Sequence, residues 1–297
     1  MASTSDQEFV LVTGADGHVG REVCRLLRAD GTKVLPLDVD GTTSDLMICD
    51  LRLQDQVSRL FQSRPIRTVI HLAAILPSAF RSDPFAGVDV NLTGCFDLMR
   101  QAVNARVKRF VLASSLSVYG SFPTPRPLTE DDPARPDEPY GASKRVVELV
   151  GEALASKREI EFVSLRIARV IGLGVKKTSS PWRSQIFEPA SGDYSMIGIP
   201  FAPRAVLSLV HVEDVARMLI ILSKKAAVQS TVYDTPVELW EARGLKEVIE
   251  EVRSRRVELG PAGASSGPTC DGGRFTREFG IQIRGLRERL LDCPNHG

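Results

Sequence analysis

Residues that bind metals or cross-link chains are scarce: five cysteines, Cys24, Cys49, Cys95, Cys270 and Cys293, and four histidines in 297 residues, with no C-x-x-C pair and no Cys/His cluster. Neither a zinc site nor a disulfide framework is indicated, and a reducing compartment fits this usage. An excess of charge of one sign is also missing, since 38 basic side chains face 37 acidic ones. Nothing global draws such a chain toward a polyanion or an anionic lipid surface, so no nucleic acid is expected as a partner. No apolar run approaches the length of a membrane span, and Met1 to Glu8 are polar and acidic where a signal peptide is basic and then apolar. A cytoplasmic location with no membrane contact is expected. What remains, 43% hydrophobic and 25% charged residues, suits one large globular domain or two smaller ones and excludes disorder.

Short β-branched runs alternate with stretches of helical period. Phe9 to Thr13, Lys33 to Asp38, Thr68 to Leu72, Arg109 to Ala113, Glu161 to Ile167 and Leu207 to His211 read as strands. They are continuous apolar runs, the pattern of a parallel sheet covered by helices on both faces, and such sheets bind ligands at the carboxyl ends of their strands. Two stretches break the rhythm. Ser121 to Pro139 holds six prolines and reads as a surface loop, and Gly172 to about Arg204 and the Gly/Ser/Pro-rich Pro261 to Gly273 belong to a less regular subdomain.

After the first strand comes Thr13-Gly14-Ala15-Asp16-Gly17-His18-Val19-Gly20, followed by a helical pattern. Gly14 permits a tight turn, Gly17 lets backbone approach a pyrophosphate, and Gly20 lets the helix pack against the strand, with the phosphates at the helix N-terminus. The second strand ends at Asp38, whose carboxylate suits both ribose hydroxyls of an adenosine and repels a 2′-phosphate; the following Val39, Asp40 and Gly41 offer no arginine. NAD is therefore expected over NADP.

Farther on, Tyr140 and Lys144 stand four apart, on one face of a helix. A free phenol has a pKa of about 10, and a neighbouring cation together with an oxidised nicotinamide favours its ionised form. Lys144 is expected to supply that cation and to hold the nicotinamide ribose while Tyr140 takes a proton from a hydroxyl. Ala113-Ser114-Ser115, at the end of the fourth strand, puts hydroxyls where the sheet presents ligands, and Ser115 is the one expected to bind the reacting oxygen, Ser114 being the better candidate for a strand cap.

Taken together these motifs resemble the extended short-chain dehydrogenase/reductases, the NAD-dependent epimerase/dehydratases, along nearly the whole chain. T-G-x-x-G-x-x-G is similar to Thr13 to Gly20, D-L to Asp50-Leu51, H-L-A-A to His71-Leu72-Ala73-Ala74, N-x-x-G to Asn91 to Gly94, S-S-x-x-V-Y-G to Ser114 to Gly120, Y-x-x-x-K to Tyr140 to Lys144, and H-V-x-D-V-A to His211 to Ala216. The resemblance implies a Rossmann-type doubly wound parallel sheet over residues 1–168, with 205–235 returning to it, and a smaller substrate-binding subdomain from 169–204 and 236–297. It implies a catalytic trio of Ser115, Tyr140 and Lys144. It places NAD against Gly14, Gly17, His18, Val19, Gly20, Asp38, Asp50, Leu51, Leu72, Ala73, Ala74, Asn91, Ala113, Tyr140 and Lys144, no metal being involved. His71 matches a position that is usually structural. A homodimer through the two long helices beginning near Asn91 and Tyr140 is also implied, with Val146, Val147, Leu149 and Val150 as candidates for that face.

Nucleotide-sugar members carry L-R-x-x-N and an arginine four before the histidine of H-V-x-D-V-A; here those positions are Arg169 and Leu207. Arg169 can replace the amide with a charged forked donor. Ser179 to Pro189 and Pro203-Arg204-Ala205 resemble the sugar-acid dehydrogenases of the erythronate and uronate type, making Arg204 a candidate carboxylate contact and Ser78 a weaker one for a substrate hydroxyl. The expected activity is oxidation of a secondary hydroxyl of a sugar or sugar acid by hydride transfer to NAD. Two alternatives are a nucleotide-sugar epimerase, in which the hydride returns, and a non-catalytic NAD sensor.

Overall fold

The computed structural model describes residues 8–41, 43–122, 124, 126–174, 180–189, 196–261 and 266–293. The polar residues 1–7 and Ser179 of the sugar-acid likeness lie outside them.

Seven parallel strands form the main sheet: β1 (Phe9–Thr13), β2 (Val34–Asp38), β3 (Met47–Ile48), β4 (Ile66–His71), β5 (Arg109–Ser115), β6 (Glu161–Ile167) and β10 (Val232–Asp234), in the order β10-β6-β5-β4-β1-β2-β3. The order reverses between β1 and β4, so the crevice above their carboxyl ends is the expected ligand seat of a doubly wound sheet. Helices α1 (His18–Ala29) and α8 (Val212–Lys224) cover one face, with Val23, Leu27, Val215 and Leu219 buried against Val12, Ile70 and Val111. On the other face α2 (Gln54–Ser63), α5 (Cys95–Asn104) and α6 (Pro139–Ser156) bury Val57, Leu60, Leu98, Met99 and Val147 against Leu11, Val69 and Phe110. Both faces being dry explains the unbroken apolar strands.

One expectation is corrected. Leu207 to His211 is a strand, β9 (Val206–His211), but it does not join the main sheet; it lies between β7 (Arg169–Ile171) and β11 (Glu238–Glu241) in a three-stranded sheet. The chain leaves β6 at Ala168, whose amide is held by the Thr235 hydroxyl, and starts a second layer. Only α8 and β10 of the 205–235 stretch return to the main sheet, β10 being too short for its pattern to announce it. The second layer has its own core, in which Trp182 of α7 (Trp182–Gln185), Phe201, Leu209 and Leu245 of α9 (Ala242–Arg253) are buried. A parallel pair, β8 (Met196–Ile199) with β12 (Arg256–Leu259), completes it, and α10 (Gly273–Phe279) and α11 (Leu286–Leu291) close the chain. Short helices α3 (Pro77–Ser82) and α4 (Pro84–Val88) follow β4 and run into a π-helical turn, Asp89–Gly94, ahead of α5.

Candidate active site

The glycine turn is fixed by steric necessity. Gly14 has φ +68°, and a Cβ there would sit 2.7 Å from the Ala73 nitrogen. At Gly20 a Cβ would meet the Gly14 carbonyl oxygen at 2.0 Å, so the first turn of α1 presses directly on the loop. Gly17 caps α1 with extended backbone and no side-chain bond, and no acidic residue occupies the first turn. The amides of His18, Val19 and Gly20 have no acceptor within the helix and point out of its positive end. At the tip of β2, Asp38 accepts from the Asp16 amide at 2.9 Å and the Val39 amide at 2.8 Å, which leaves further lone pairs for ribose hydroxyls. Burial pushes its pKa up and those two amides oppose the rise.

The adenine end is less committed. Leu51 is buried and its carbonyl lies against Gly94, whereas the Asp50 carboxylate turns to Arg52 at 2.6 Å. Leu72 and Ala73 are tied to Thr13, the first through the Thr13 carbonyl at 3.1 Å and the second through its hydroxyl at 3.3 Å. His71 is buried, hydrogen-bonded to Thr13 Oγ1 at 2.7 Å, and lowered to about 3 by burial and by Lys144, so it stays neutral and structural. Asn91 spends its amide on the backbone of Ile75, donating at 2.9 Å and accepting at 2.8 Å. It thereby props the segment after β4 that carries Ala73 and Ala74.

The three residues expected to act in catalysis, Ser115, Tyr140 and Lys144, come together at the end of β5. Glu138 caps α6 by accepting from the amides of Tyr140 and Gly141, and Tyr140 and Lys144 follow one turn apart, both buried. Ser115 hydrogen-bonds the Tyr140 side chain, while its Oγ accepts from the Ser117 amide at 3.1 Å. Lys144 Nζ donates to the Ala113 carbonyl at 2.8 Å and lies 5.8 Å from the centre of the Tyr140 ring. Burial, partly offset by Cys95 and Glu148, lowers Lys144 to about 8. Burial and Glu138 raise the Tyr140 phenol, and only the Ser115 bond pulls it down. Of the two charges expected to favour the phenolate, the Lys144 ammonium is directed to the Ala113 carbonyl, and burial dominates at the phenol.

Of the substrate candidates Arg169, Ser78 and Arg204, Arg169 is the one that follows directly from the end of β6. It begins β7 two residues beyond Ile167, the register partner of Ser115. Its guanidinium stacks 4.6 Å from Phe201 and donates to the Ser266 carbonyl at 3.2 and 3.3 Å; burial and Arg183 lower it to about 10. Ser78, on α3, and Arg204, in the turn entering β9, are exposed, and among the described residues no hydrogen bond links either to the Ser115–Tyr140–Lys144 group. Phe201 gave no signal in the sequence beyond its place in an irregular stretch, and Arg183 none beyond the sugar-acid likeness of its segment. Across the crevice, His18 Nε2 donates to the Leu173 carbonyl at 2.9 Å and Arg21 bonds the Gly174 carbonyl, so the chain after β7 crosses the start of α1.

The profile of the NAD dependent epimerase/dehydratase family matches residues 10–234. The chain belongs to the NAD dependent epimerase/dehydratase family. It is 33% identical over 174 residues to a UDP-glucose 4-epimerase of Lactobacillus helveticus, covering 55% of this chain and 52% of that protein. It is 32% identical over 176 residues to an L-arabinose 1-dehydrogenase (NAD(P)(+)) of Haloferax volcanii, covering 53% and 65%. The chain thus spans about half the length of the first curated relatives it matches, although a Bacillus subtilis UDP-glucose 4-epimerase aligns at 26% identity over 95% of both chains. Among solved structures, MoeE5 in complex with UDP-glucose and NAD superposes with a TM-score of 0.81 at 27% identity, covering 96% of each chain. As an enzyme of this NAD-dependent family the chain uses NAD, and the glycine cradle that any Cβ would fill fits that group. Among the described residues no cluster could hold a metal ion and no helix is long and apolar enough to cross a membrane.

Proposed function

We propose that the protein oxidises a secondary hydroxyl of a sugar or sugar acid, and that Ser115, Tyr140 and Lys144 perform it. The observation that carries the reading is the pairing of Ser115 with Tyr140 beside a buried Lys144, at the carboxyl end of β5, two strands along the sheet from β1, which the glycine turn follows. NAD, when held there, would supply the hydride acceptor and a positive charge that the polypeptide alone does not give the phenol. Tyr140 takes the hydroxyl proton, Ser115 orients the same oxygen, and Lys144 holds the ribose and keeps a cation nearby. Gly14, Gly17, His18, Val19 and Gly20 receive the pyrophosphate and Asp38 the adenosine ribose. Asn91 and Ala113 act by supporting the loop after β4 and Lys144.

Arg169, next to Arg183 and without a carboxylate partner among the described residues, suits an anionic substituent of the substrate better than the exposed Arg204. The second reading, an epimerase that returns the hydride, is favoured by the names of the most similar relatives. The sensor reading is disfavoured because the trio is assembled. Incubation with NAD and a panel of sugar acids, free aldoses and nucleotide sugars separates the first two: NADH accumulates in a dehydrogenase, whereas inverted product without NADH marks an epimerase. Tyr140→Phe is expected to lower turnover by about 10²- to 10⁴-fold with NADH binding retained. Unchanged turnover in that variant refutes the mechanism.

A further inference from the structure

Helix α6 is fastened to β5 at three successive strand residues. Tyr140 bonds Ser115, Lys144 donates to the Ala113 carbonyl at 2.8 Å, and Glu148, one turn below Lys144, accepts from Ser114 Oγ at 2.6 Å. Side chains at spacing four on the helix thus meet consecutive residues of the strand. Glu148 is fully buried. Its two oxygens also take both arms of Arg166, Nε at 2.9 Å and Nη2 at 2.8 Å, and Arg145 Nη1 at 3.0 Å. Arg166 lies on β6, where it is the register partner of Ser114, and donates to the Tyr119 hydroxyl at 2.9 Å. That hydroxyl in turn donates to Asp234 of β10 at 2.8 Å.

We infer that Glu148 is a positioning residue for the hydride-transfer site, fixing the end of β5 through Ser114 and supplying the buried counter-charge that keeps Lys144 an ammonium. The inference rests on the role proposed above for Lys144. Four titratable groups face Lys144: Cys95 from α5, His71 from β4, and Tyr140 and Glu148 from its own helix. Burial holds the Cys95 thiol up at about 12 and His71 down at about 3, and it raises the Tyr140 phenol, so all three are neutral near pH 8. Glu148 is the one of the four held in ion pairs, with Arg166 at 2.8 Å and Arg145 at 3.0 Å. Ser114 directly precedes Ser115, so holding the first on Glu148 fixes the end of β5 from which the second meets Tyr140.

The test is Glu148→Gln, which keeps the size of the side chain and removes its charge. The alkaline limb of the kcat profile, set by Lys144, is expected to move to lower pH by about half a unit or more, and the NADH dissociation constant at pH 9 to rise about threefold relative to the native protein. A merely structural ion pair predicts a lower melting temperature and a uniform loss of rate with the limb and the NADH titration unmoved, and that result overturns the inference. Should E148Q not fold, E148Q/R166M removes the unpaired guanidinium and carries the same expectation. Ser114→Ala leaves the charge in place and is expected to slow turnover several-fold without moving the limb; unchanged turnover refutes the alignment of Ser115. The NADH titration needs no sugar, so it decides the role of Glu148 even if no sugar is oxidised by the native protein.

Discussion

The glycine cradle can be tested by asking whether one methyl group matters for its position or only for its backbone angle. In Gly20→Ala the new Cβ would lie 2.0 Å from the Gly14 oxygen and 2.8 Å from the Ala15 Cα, both backbone atoms that no rotamer change can move. To reach ordinary contact the first turn of α1 must retreat by about 1 Å, which takes a hydrogen bond of about 2.9 Å beyond bonding range. Two charge-assisted amide–phosphate bonds lost at about 1.5 to 3 kcal/mol each amount to roughly 3 to 6 kcal/mol, so NADH affinity is expected to fall at least a hundredfold. Gly31→Ala is the control: Gly31 has φ +81° but nothing within 4 Å of the site of its Cβ. It should lose about 1 to 2 kcal/mol of stability and no affinity. Fluorescence titration of NADH, with thermal melts in parallel, reads both quantities. If G20A binds NADH within threefold of the native protein, the phosphates do not sit on this helix terminus.

Arg169→Gln is expected to raise KM for an anionic sugar by about 10- to 100-fold, the worth of one charged hydrogen bond, and to leave a neutral aldose unaffected; equal effects on both would show that Arg169 reads no charge. Phe85 is 84% exposed, Leu149 49% and Val146 41%, on α4 and α6, an apolar face that suits a second copy of the chain. Leu149→Glu should therefore shift the protein to the monomer in sedimentation, and an unchanged mass would exclude that face. Burial and Glu130 raise Asp234 to about 8, far above a free carboxylate. The unfolded chain releases that proton near pH 4 and the native one keeps it, so Asp234 makes stability fall as pH rises from about 4 to 8, by up to about 1.4 kcal/mol per pH unit. Asp234→Asn should flatten the dependence of the melting temperature on pH between 5 and 8; parallel curves for the two proteins would disprove the assignment.

Much of the cofactor half was legible because its constraints are local. Gly14, Gly17 and Gly20 are spaced by the turn itself, and the strands that flank it are dry on both sides and so read as plain apolar runs. The second layer was not, because its strands are placed by where β6 ends and not by their own pattern. Val206 to His211 has the composition of any buried strand, and only the departure at Ala168 sends it to β7 and β11. Glu148 and Arg166 escaped notice for a related reason: a carboxylate and a guanidinium on a helix and a strand ordinarily mean solvent, and their mutual burial needs the α6–β5–β6 seam to exist first. The repeat Tyr140, Lys144, Glu148, each four apart, was the available signal.

The ionisation of Tyr140 shows where reading by spacing stops. A lysine one turn from a tyrosine suggests a cation beside a phenol, yet in the fold Lys144 donates to the Ala113 carbonyl while burial drives the phenol upward. Both groups are pushed toward neutrality by the same desolvation, so the polypeptide alone disfavours the charged pair that proton abstraction requires. An oxidised nicotinamide held beside Tyr140 would supply a positive charge in a place already dry, where its field is least screened. On the proposed mechanism, base strength at Tyr140 would be tied to the presence of the oxidant, and a hydroxyl would be deprotonated only when its hydride has somewhere to go. On the inference drawn for Glu148, the same balance would be set from below as well, through the helix turn that joins it to Lys144 and the bond that joins it to Ser114.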